Sequence, residues 1–193
     1  MSNTLILINP WIYDFAAYDL WSKPLGLLFL AGGLREKGFR VRFIDCLDIH
    51  HPSLEDTRPG SHPVRRAYGT GKFRRERVSK PEPLAHVPRA FSRYGIPMDL
   101  FVKDLREVEN PAAILVTSLM TYWYPGVREV IRLAKEIHPN APVILGGIYA
   151  GLCEEHARGT SGADYVIARR TTPSLDDLIG LLDRMGIRPG RKG

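Results

Sequence analysis

Two short segments of this 193-residue chain have residue types that suit ligand binding, and each ends an apolar run. The first combines small hydroxyl side chains, which can hydrogen-bond a ligand and leave room for a flat ring system. The second begins with adjacent glycines, which permit unusual backbone angles and let a bulky ligand touch the main chain. The candidate site residues are Thr117, Ser118, Leu119, Met120, Thr121, Gly146, Gly147, Ile148, Tyr149 and Ala150.

Each segment taken alone also has a purely structural explanation. A hydroxyl group at a strand end often satisfies main-chain groups, and a Gly-Gly pair often makes only a tight turn. The elements that position the two segments therefore decide how they are interpreted.

The chain alternates apolar strands with helices. Thr4–Asn9 and Arg40–Asp45 are predicted strands, and Pro24–Lys37 between them is a predicted helix, with proline at its start and glycine just past its end. The further predicted elements are a helix over Asp99–Val108, a strand over Ala112–Ser118, a helix over Pro125–His138, a strand over Pro142–Leu145, a helix over Tyr149–Arg158, a strand over Ala163–Ala168, and a helix over Pro173–Met185 capped by Thr172.

Five strands separated by helices predict the α/β class. We expect a flavodoxin-like (Rossmann-like), doubly wound, five-stranded parallel sheet with strand order 2-1-3-4-5. Ligands of such sheets lie beyond the carboxyl ends of the strands, which is where both candidate segments fall. Aromatic residues also gather in the loops after the first and third strands, where they fit either core packing or a large flat ligand or domain interface. They are Trp11, Tyr13, Tyr18, Trp21, Tyr122, Trp123 and Tyr124.

Residues 50–98 interrupt this alternation and are interpreted as a long basic insertion after the second strand. They contain ten Lys or Arg residues and four Asp or Glu residues, which accounts for the whole net charge of +6. Such a long irregular segment inside a domain usually has a function. We expect it to contact a partner, and we rank a protein domain ahead of nucleic acid. The domain is predicted to span residues 1–187, followed by a tail over 188–193.

The combined pattern resembles the cobalamin-binding domains of methionine synthase and the mutases, which have Ser-x-Leu after the third strand and Gly-Gly after the fourth. It is more similar to the cobalamin-binding N-terminal domains of radical-SAM proteins. The stretches that carry the resemblance are Leu7-Ile8-Asn9-Pro10, Pro24-Leu25-Gly26-Leu27, Val116 to Tyr122, and Val143 to Ala150. The resemblance implies that Asn9, Pro10 and the two segments bind cobalamin, whose nucleotide tail would run into the sheet beside these loops.

Two departures from the family pattern concern cofactor contacts. The mutase-type domains have a cobalt-binding histidine after the first strand, and the loop from Trp11 to Asp19 has none. The resemblance to the radical-SAM subgroup therefore implies base-off cobalamin without a histidine ligand on cobalt, and no metal-ligating residue is assigned. The alternative is coordination by a histidine of the insertion, such as His50, His51 or His62. The second departure is Ala168-Arg169-Arg170, which stands where relatives have Gly-Glu-Gly.

The cysteine content limits what this chain can do alone. Radical-SAM chemistry needs three cysteines for an iron–sulfur cluster, and the chain has only Cys46 and Cys153. We therefore expect no catalytic residues here. The iron–sulfur cluster and S-adenosylmethionine would belong to a radical-SAM partner domain or chain, and the chain would present cobalamin to it for methyl transfer or a related radical reaction. The alternative is a non-catalytic interaction module that has lost cofactor binding.

Missing motifs argue against several other ligand classes and cellular locations. The chain has neither Gly-x-Gly-x-x-Gly after its first strand nor a phosphate-binding P-loop, although a flavin remains an alternative ligand. It has no apolar run as long as a membrane span and no evident signal peptide. With two cysteines at no metal-ligand spacing, a reducing cytoplasm is expected.

Overall fold

The centre of the protein, seen in a computed structural model, is a five-stranded parallel sheet. The structure describes residues 2–54, 65–168 and 175–190. The strands in these residues are β1 (Thr4–Asn9), β2 (Ile12–Asp14), β3 (Tyr18–Asp19), β4 (Arg40–Asp45), β5 (Gly71–Lys72), β6 (Arg75–Arg77), β7 (Ser92–Tyr94), β8 (Ala113–Val116), β9 (Val143–Leu145) and β10 (Tyr165–Val166). The α-helices are α1 (Leu25–Glu36), α2 (Met98–Arg106), α3 (Tyr124–Ile137), α4 (Ile148–Leu152), α5 (Glu154–Thr160) and α6 (Leu175–Arg184).

The strands of the central sheet lie in the order β4-β1-β8-β9-β10, and all of their pairings are parallel. Leu7 in the middle of β1 pairs with Phe43 on one side and with Leu115 on the other. Numbered along the chain, this is the 2-1-3-4-5 order that the sequence predicts. The strands β1 and β4 also have their predicted bounds.

Helices cover both faces of the sheet. Leu5 and Leu7 of β1 pack with α1 and α6, whereas Ile6 and Ile8 pack with α2, α3 and α5 on the opposite face. Successive side chains of a strand point to opposite faces, so a strand that is buried on both faces is continuously apolar. This accounts for the sequence of β1.

The described residues of the basic insertion lie outside the central sheet. Strands β6 and β7 form an antiparallel sheet with β2, in the order β2-β7-β6, and β5 pairs with β3. The insertion therefore folds back onto the segment that follows β1, and the indole Nε1 of Trp11 donates a hydrogen bond to the carbonyl oxygen of Ile96 at 2.8 Å. Residues 55–64, which include Arg58 and His62, lie outside the described part of the chain.

One predicted helix is divided in the structure, and one predicted helix cap lies outside the described residues. The predicted helix over residues 149–158 is two helices, α4 and α5, because Cys153 between them has non-helical backbone angles, with φ −126° and ψ 49°. The predicted cap Thr172 lies outside the described residues. The longest described helix, α3, has 14 residues, and none of the described helices has the length and hydropathy needed to cross a bilayer.

Candidate functional site

The two segments singled out in the sequence meet at the carboxyl edge of the sheet. The amide of Ile148 donates a hydrogen bond to the carbonyl oxygen of Ser118 at 2.9 Å, and the amide of Gly146 donates to that of Val116 at 2.9 Å. The Ser118 hydroxyl donates to the Gly146 carbonyl oxygen at 3.3 Å. The loops after β8 and β9 are therefore one hydrogen-bonded unit.

Gly147 makes this close approach of the loops sterically feasible. Its φ is +94°, and a Cβ atom at this position would lie 2.5 Å from the Ser118 carbonyl oxygen and 2.6 Å from the Ser118 amide nitrogen. Any larger residue would combine an unfavourable backbone conformation with a collision against main chain. Gly147 therefore serves to join the two loops.

An apolar cleft opens beside these loops, on the face of the sheet that carries α1 and α6. It encloses about 90 Å³. The described residues that line it are Gly26, Leu27, Leu30, Leu115, Val116, Thr117, Ile144, Gly146, Gly147, Ile167 and Leu178. A Cβ atom added to Gly26 or to Gly146 would meet no described atom within 4 Å, so both glycines leave space that a side chain would occupy.

The polar character of the apolar cleft is low. Thr117 carries the only polar side chain among the described lining residues. Two main-chain amides beside it are already paired: that of Gly146 with Val116, and that of Ile167 with the Leu145 carbonyl oxygen at 2.8 Å. The cleft therefore suits a flat, largely apolar group.

Exposed apolar side chains occur next to the apolar cleft in the sequence. Leu25 is 74% exposed and precedes Gly26, and Ile148 is 50% exposed and follows Gly147. Met120, Tyr122 and Leu152 are also exposed. These side chains offer apolar surface that a ligand or another protein could cover.

Two of the predicted site residues belong to the core instead of the apolar cleft. Tyr149 and Ala150 are buried on the opposite face of the sheet, because α4 begins at Ile148 and its first turn directs them towards α3. The Tyr149 hydroxyl lies 2.7 Å from Nδ1 of His156. Burial raises the pKa of Tyr149 above its usual value, and the contact of its hydroxyl with His156 joins α4 to α5.

Asn9 and Pro10, also predicted to bind the cofactor, lie at the end of β1. Asn9 is buried, and its side-chain amide donates a hydrogen bond to Oδ1 of Asp45 at 2.7 Å, which joins the ends of β1 and β4. Pro10 lines a gap of about 10 Å³ together with Ser118 and Leu119. That gap is too small for a ligand, so these two residues brace the strand ends.

The loop after β1 is held by the insertion and by the loop after β8. Oδ2 of Asp14 accepts a hydrogen bond from the Trp123 indole at 3.0 Å. The carboxylate of Asp19 accepts hydrogen bonds from the Arg65 guanidinium and from the amide of Trp21. Both carboxylates of this loop are thus hydrogen-bonded within the protein.

The wall of the apolar cleft opposite the sheet was missed by the sequence analysis. Leu27 and Leu30 of α1 and Leu178 of α6 form it, and none of them was among the predicted site residues. The available signal was Gly26, a glycine in the first turn of an otherwise apolar helix. Glycine destabilises a helix, so its presence there is a sign that the position must leave space for a ligand. Arg169 and Arg170, which stand where relatives have glutamate and glycine, lie outside the described residues.

Comparisons with known proteins bear on the same region. Residues 92–179 match the family model described as the B12 binding domain. Among solved structures, a cobalamin-binding protein from Desulfitobacterium hafniense DCB-2 has a TM-score of 0.50 and 14% sequence identity, over 94% of this chain and 57% of that one. At this identity the likeness shows a shared fold, and this chain spans little more than half of that protein. No curated protein gives a significant match.

The matched region contains both loops and the strands β8, β9 and β10, and it ends inside α6. The remaining wall of the apolar cleft comes from α1, outside that region. The resemblance to cobalamin-binding domains that the sequence predicts is thereby confirmed for residues 92–179, which match the B12 binding domain model.

Proposed function

We propose that the chain binds cobalamin, with the nucleotide tail in the apolar cleft and the corrin ring over the loops after β8 and β9. The observation that carries the proposal is the cleft itself. Gly26 and Gly146 keep it open, and its sheet side lies within the region matched by the B12 binding domain model.

The size and lining of the apolar cleft support this division of the cofactor. Sites that enclose a whole drug-sized ligand have about 300–1,000 Å³. A cleft of about 90 Å³ takes only a flat fragment, such as a benzimidazole ring. A corrin ring would lie outside, where Leu25, Met120 and Ile148 expose apolar surface.

The proposal includes a base-off cofactor without a histidine on cobalt. A tail that occupies the apolar cleft cannot coordinate cobalt at the same time. The loop after β1 contains no histidine, and its Asp14 and Asp19 are hydrogen-bonded within the protein. Both ring nitrogens of His51 have partners as well, Nε2 with Asp104 at 3.1 Å and Nδ1 with the Ser53 amide at 3.2 Å.

The proposed reaction needs a second polypeptide or domain. Bound cobalamin supplies a cobalt centre that can accept and pass on a methyl group. The radical-SAM partner of our proposal would bring the iron–sulfur cluster and S-adenosylmethionine, for which this chain has too few cysteines. The role of this chain would then be to bind and orient the cofactor in a cytoplasmic complex.

A second candidate function, partner docking through the insertion, is favoured by one observation. Strand β6 is the outer strand of its sheet, and its residues Arg75, Glu76 and Arg77 are all exposed. We rank a protein partner ahead of RNA. Tight binding of generic single-stranded RNA at low salt, abolished by Arg75→Gln and Arg77→Gln, would reverse that ranking, since phosphate contacts weaken steeply with salt.

Titration of the purified chain with hydroxocobalamin tests the main proposal. We expect a change in the cobalamin absorbance spectrum and co-elution of the cofactor with the protein on gel filtration. An unchanged spectrum and no co-elution at high micromolar cofactor would contradict cobalamin binding and favour the docking function.

A further inference from the structure

The lining of the apolar cleft also bears on which lower base the chain prefers in its cofactor. We infer that the chain selects cobamides whose lower base is apolar, such as a benzimidazole or a phenol, over those with a purine base. The inference rests on the proposed function, because it concerns the tail of the same cofactor.

The walls of the apolar cleft present hydrocarbon from both the helices and the sheet. Leu27 and Leu30 project from α1, and Leu178 projects from α6. Leu115 and Ile144 form the sheet side. A ring placed between them would exchange water for aliphatic carbon on both of its faces.

The described side chains of the cleft offer few hydrogen-bonding groups to such a ring. The amides of Thr117, Gly146 and Ile167 already donate to main-chain carbonyl oxygens, at 3.1, 2.9 and 2.8 Å. Among the described lining residues, only the Thr117 hydroxyl adds a polar side-chain atom. The described side chains of the cleft can therefore satisfy about one polar atom of a base.

The candidate bases differ in how many polar atoms they would bury. 5,6-Dimethylbenzimidazole, released from cobalt, has one free ring nitrogen, which accepts a hydrogen bond and matches one hydroxyl. A phenolic base is attached through its oxygen and keeps no donor. Adenine has an exocyclic amine and several ring nitrogens, all bonded to water in solution. Each polar group that is buried without a partner weakens binding, so we expect adeninylcobamide to bind about 10- to 100-fold more weakly than cobalamin.

Comparison of four corrinoids by absorbance titration tests the inference: cobalamin, cresolylcobamide, adeninylcobamide and the tail-less cobinamide. We expect cobalamin and cresolylcobamide to bind with similar affinity and both to exceed the other two. Equal affinities for cobalamin and adeninylcobamide would overturn the inference alone. Equal affinities for cobalamin and cobinamide would overturn the placement of the tail, and no binding by any corrinoid would overturn the proposed function and the inference with it.

A pair of variants of α1 connects the selectivity to the apolar cleft. Leu30→Gln places an amide on the cleft wall, where it can hydrogen-bond a purine, and should narrow the preference for cobalamin over adeninylcobamide. Leu28→Gln is the matched control, since Leu28 is also half-buried on α1 but does not line the cleft. An unchanged preference in Leu30→Gln, with a helical content equal to that of the control by circular dichroism, would contradict our assignment of the selectivity to this wall.

Discussion

Gly147 and Ser118 lie so close together that a Cβ atom on the glycine would come within 2.5 Å of the serine carbonyl oxygen. The amide of the next residue, Ile148, donates a hydrogen bond to that same oxygen. This contact couples the loops after two neighbouring strands, which the sequence could only suggest were neighbours. The loops that we expect to support the corrin are thus fixed before any cofactor binds.

The first prediction concerns the stability provided by this contact. Gly147→Ala should lower the free energy of unfolding by about 2–4 kcal/mol, because it adds a strained backbone conformation to a main-chain collision. Gly146→Ala is the matched control. An added methyl group there meets open space, and we expect a change of under about 1 kcal/mol. Urea denaturation of both variants measures the difference, and equal stabilities would refute the role assigned to Gly147.

The second prediction separates cofactor binding from stability. Gly26→Leu should fill the apolar cleft and weaken cobalamin binding, while leaving the free energy of unfolding equal or up to about 1 kcal/mol higher, since leucine favours helix over glycine. Gly32→Leu makes the same exchange on the same helix, where a Cβ also meets open space, but outside the cleft. Cobalamin titration and thermal melting of both variants provide the test. Unimpaired binding by Gly26→Leu would contradict the placement of the tail.

The sequence predicted the central sheet well because its signals are local and repeated. Continuous apolar runs such as β1 identify strands buried on both faces, and glycine or proline marks the ends of α1. The site was predicted in part for the same reason, since the segments starting at Thr117 and Gly146 follow strands. Their meeting follows from the parallel order of β8 and β9.

The parts that the sequence did not predict depend on contacts between distant residues. Strands β2 and β3 have three and two residues, too few to show a period, and they form only by pairing with the insertion. The burial of Tyr149 depends on where α4 begins, because a start one residue earlier or later would turn its side chain to a different side of the helix. The cleft wall formed by Leu30 depends on how α1 packs, and periodicity alone does not distinguish a cleft from a filled core.

The third prediction concerns how the insertion is attached. Arg93 is buried, its guanidinium carbon lies 5.0 Å from the centre of the Trp11 ring, and its charge is paired with Glu76. Arg93→Ala should lower the free energy of unfolding by about 1–3 kcal/mol, chiefly because it uncovers Trp11, since the partner Glu76 is exposed and loses little when unpaired. Arg93→Met keeps the packing and should cost less. Denaturation curves compare the two, and equal losses would show that packing on Trp11 contributes nothing.

The fourth prediction follows from the buried thiol of Cys46. Burial raises the pKa of this thiol well above its usual range, so it stays protonated in the folded chain. The unfolded chain loses that proton above about pH 8.5, and the free energy of unfolding should therefore fall as pH rises, by up to about 1.4 kcal/mol per pH unit. The contribution is fully present below that pH.

Replacement of each cysteine tests this assignment. Cys46→Ala should reduce the alkaline slope of the free energy of unfolding, whatever constant offset the lost packing causes. Cys153→Ser serves as the control, because Cys153 is only partly buried. A slope that is unchanged by Cys46→Ala would show that other groups, such as Tyr149, dominate the alkaline response.

The last prediction concerns the lower face of cobalt. Electron paramagnetic resonance of the chain loaded with cob(II)alamin should show no nitrogen superhyperfine splitting, because the tail would lie in the apolar cleft and both ring nitrogens of His51 are hydrogen-bonded. Free base-on cob(II)alamin at neutral pH, with its benzimidazole on cobalt, is the positive control for the splitting. A triplet that disappears in His50→Ala, His51→Ala or His62→Ala would show a histidine on cobalt. A triplet that persists in all three would contradict the proposed cobalt without a nitrogen ligand, whether the benzimidazole or another histidine supplies that nitrogen.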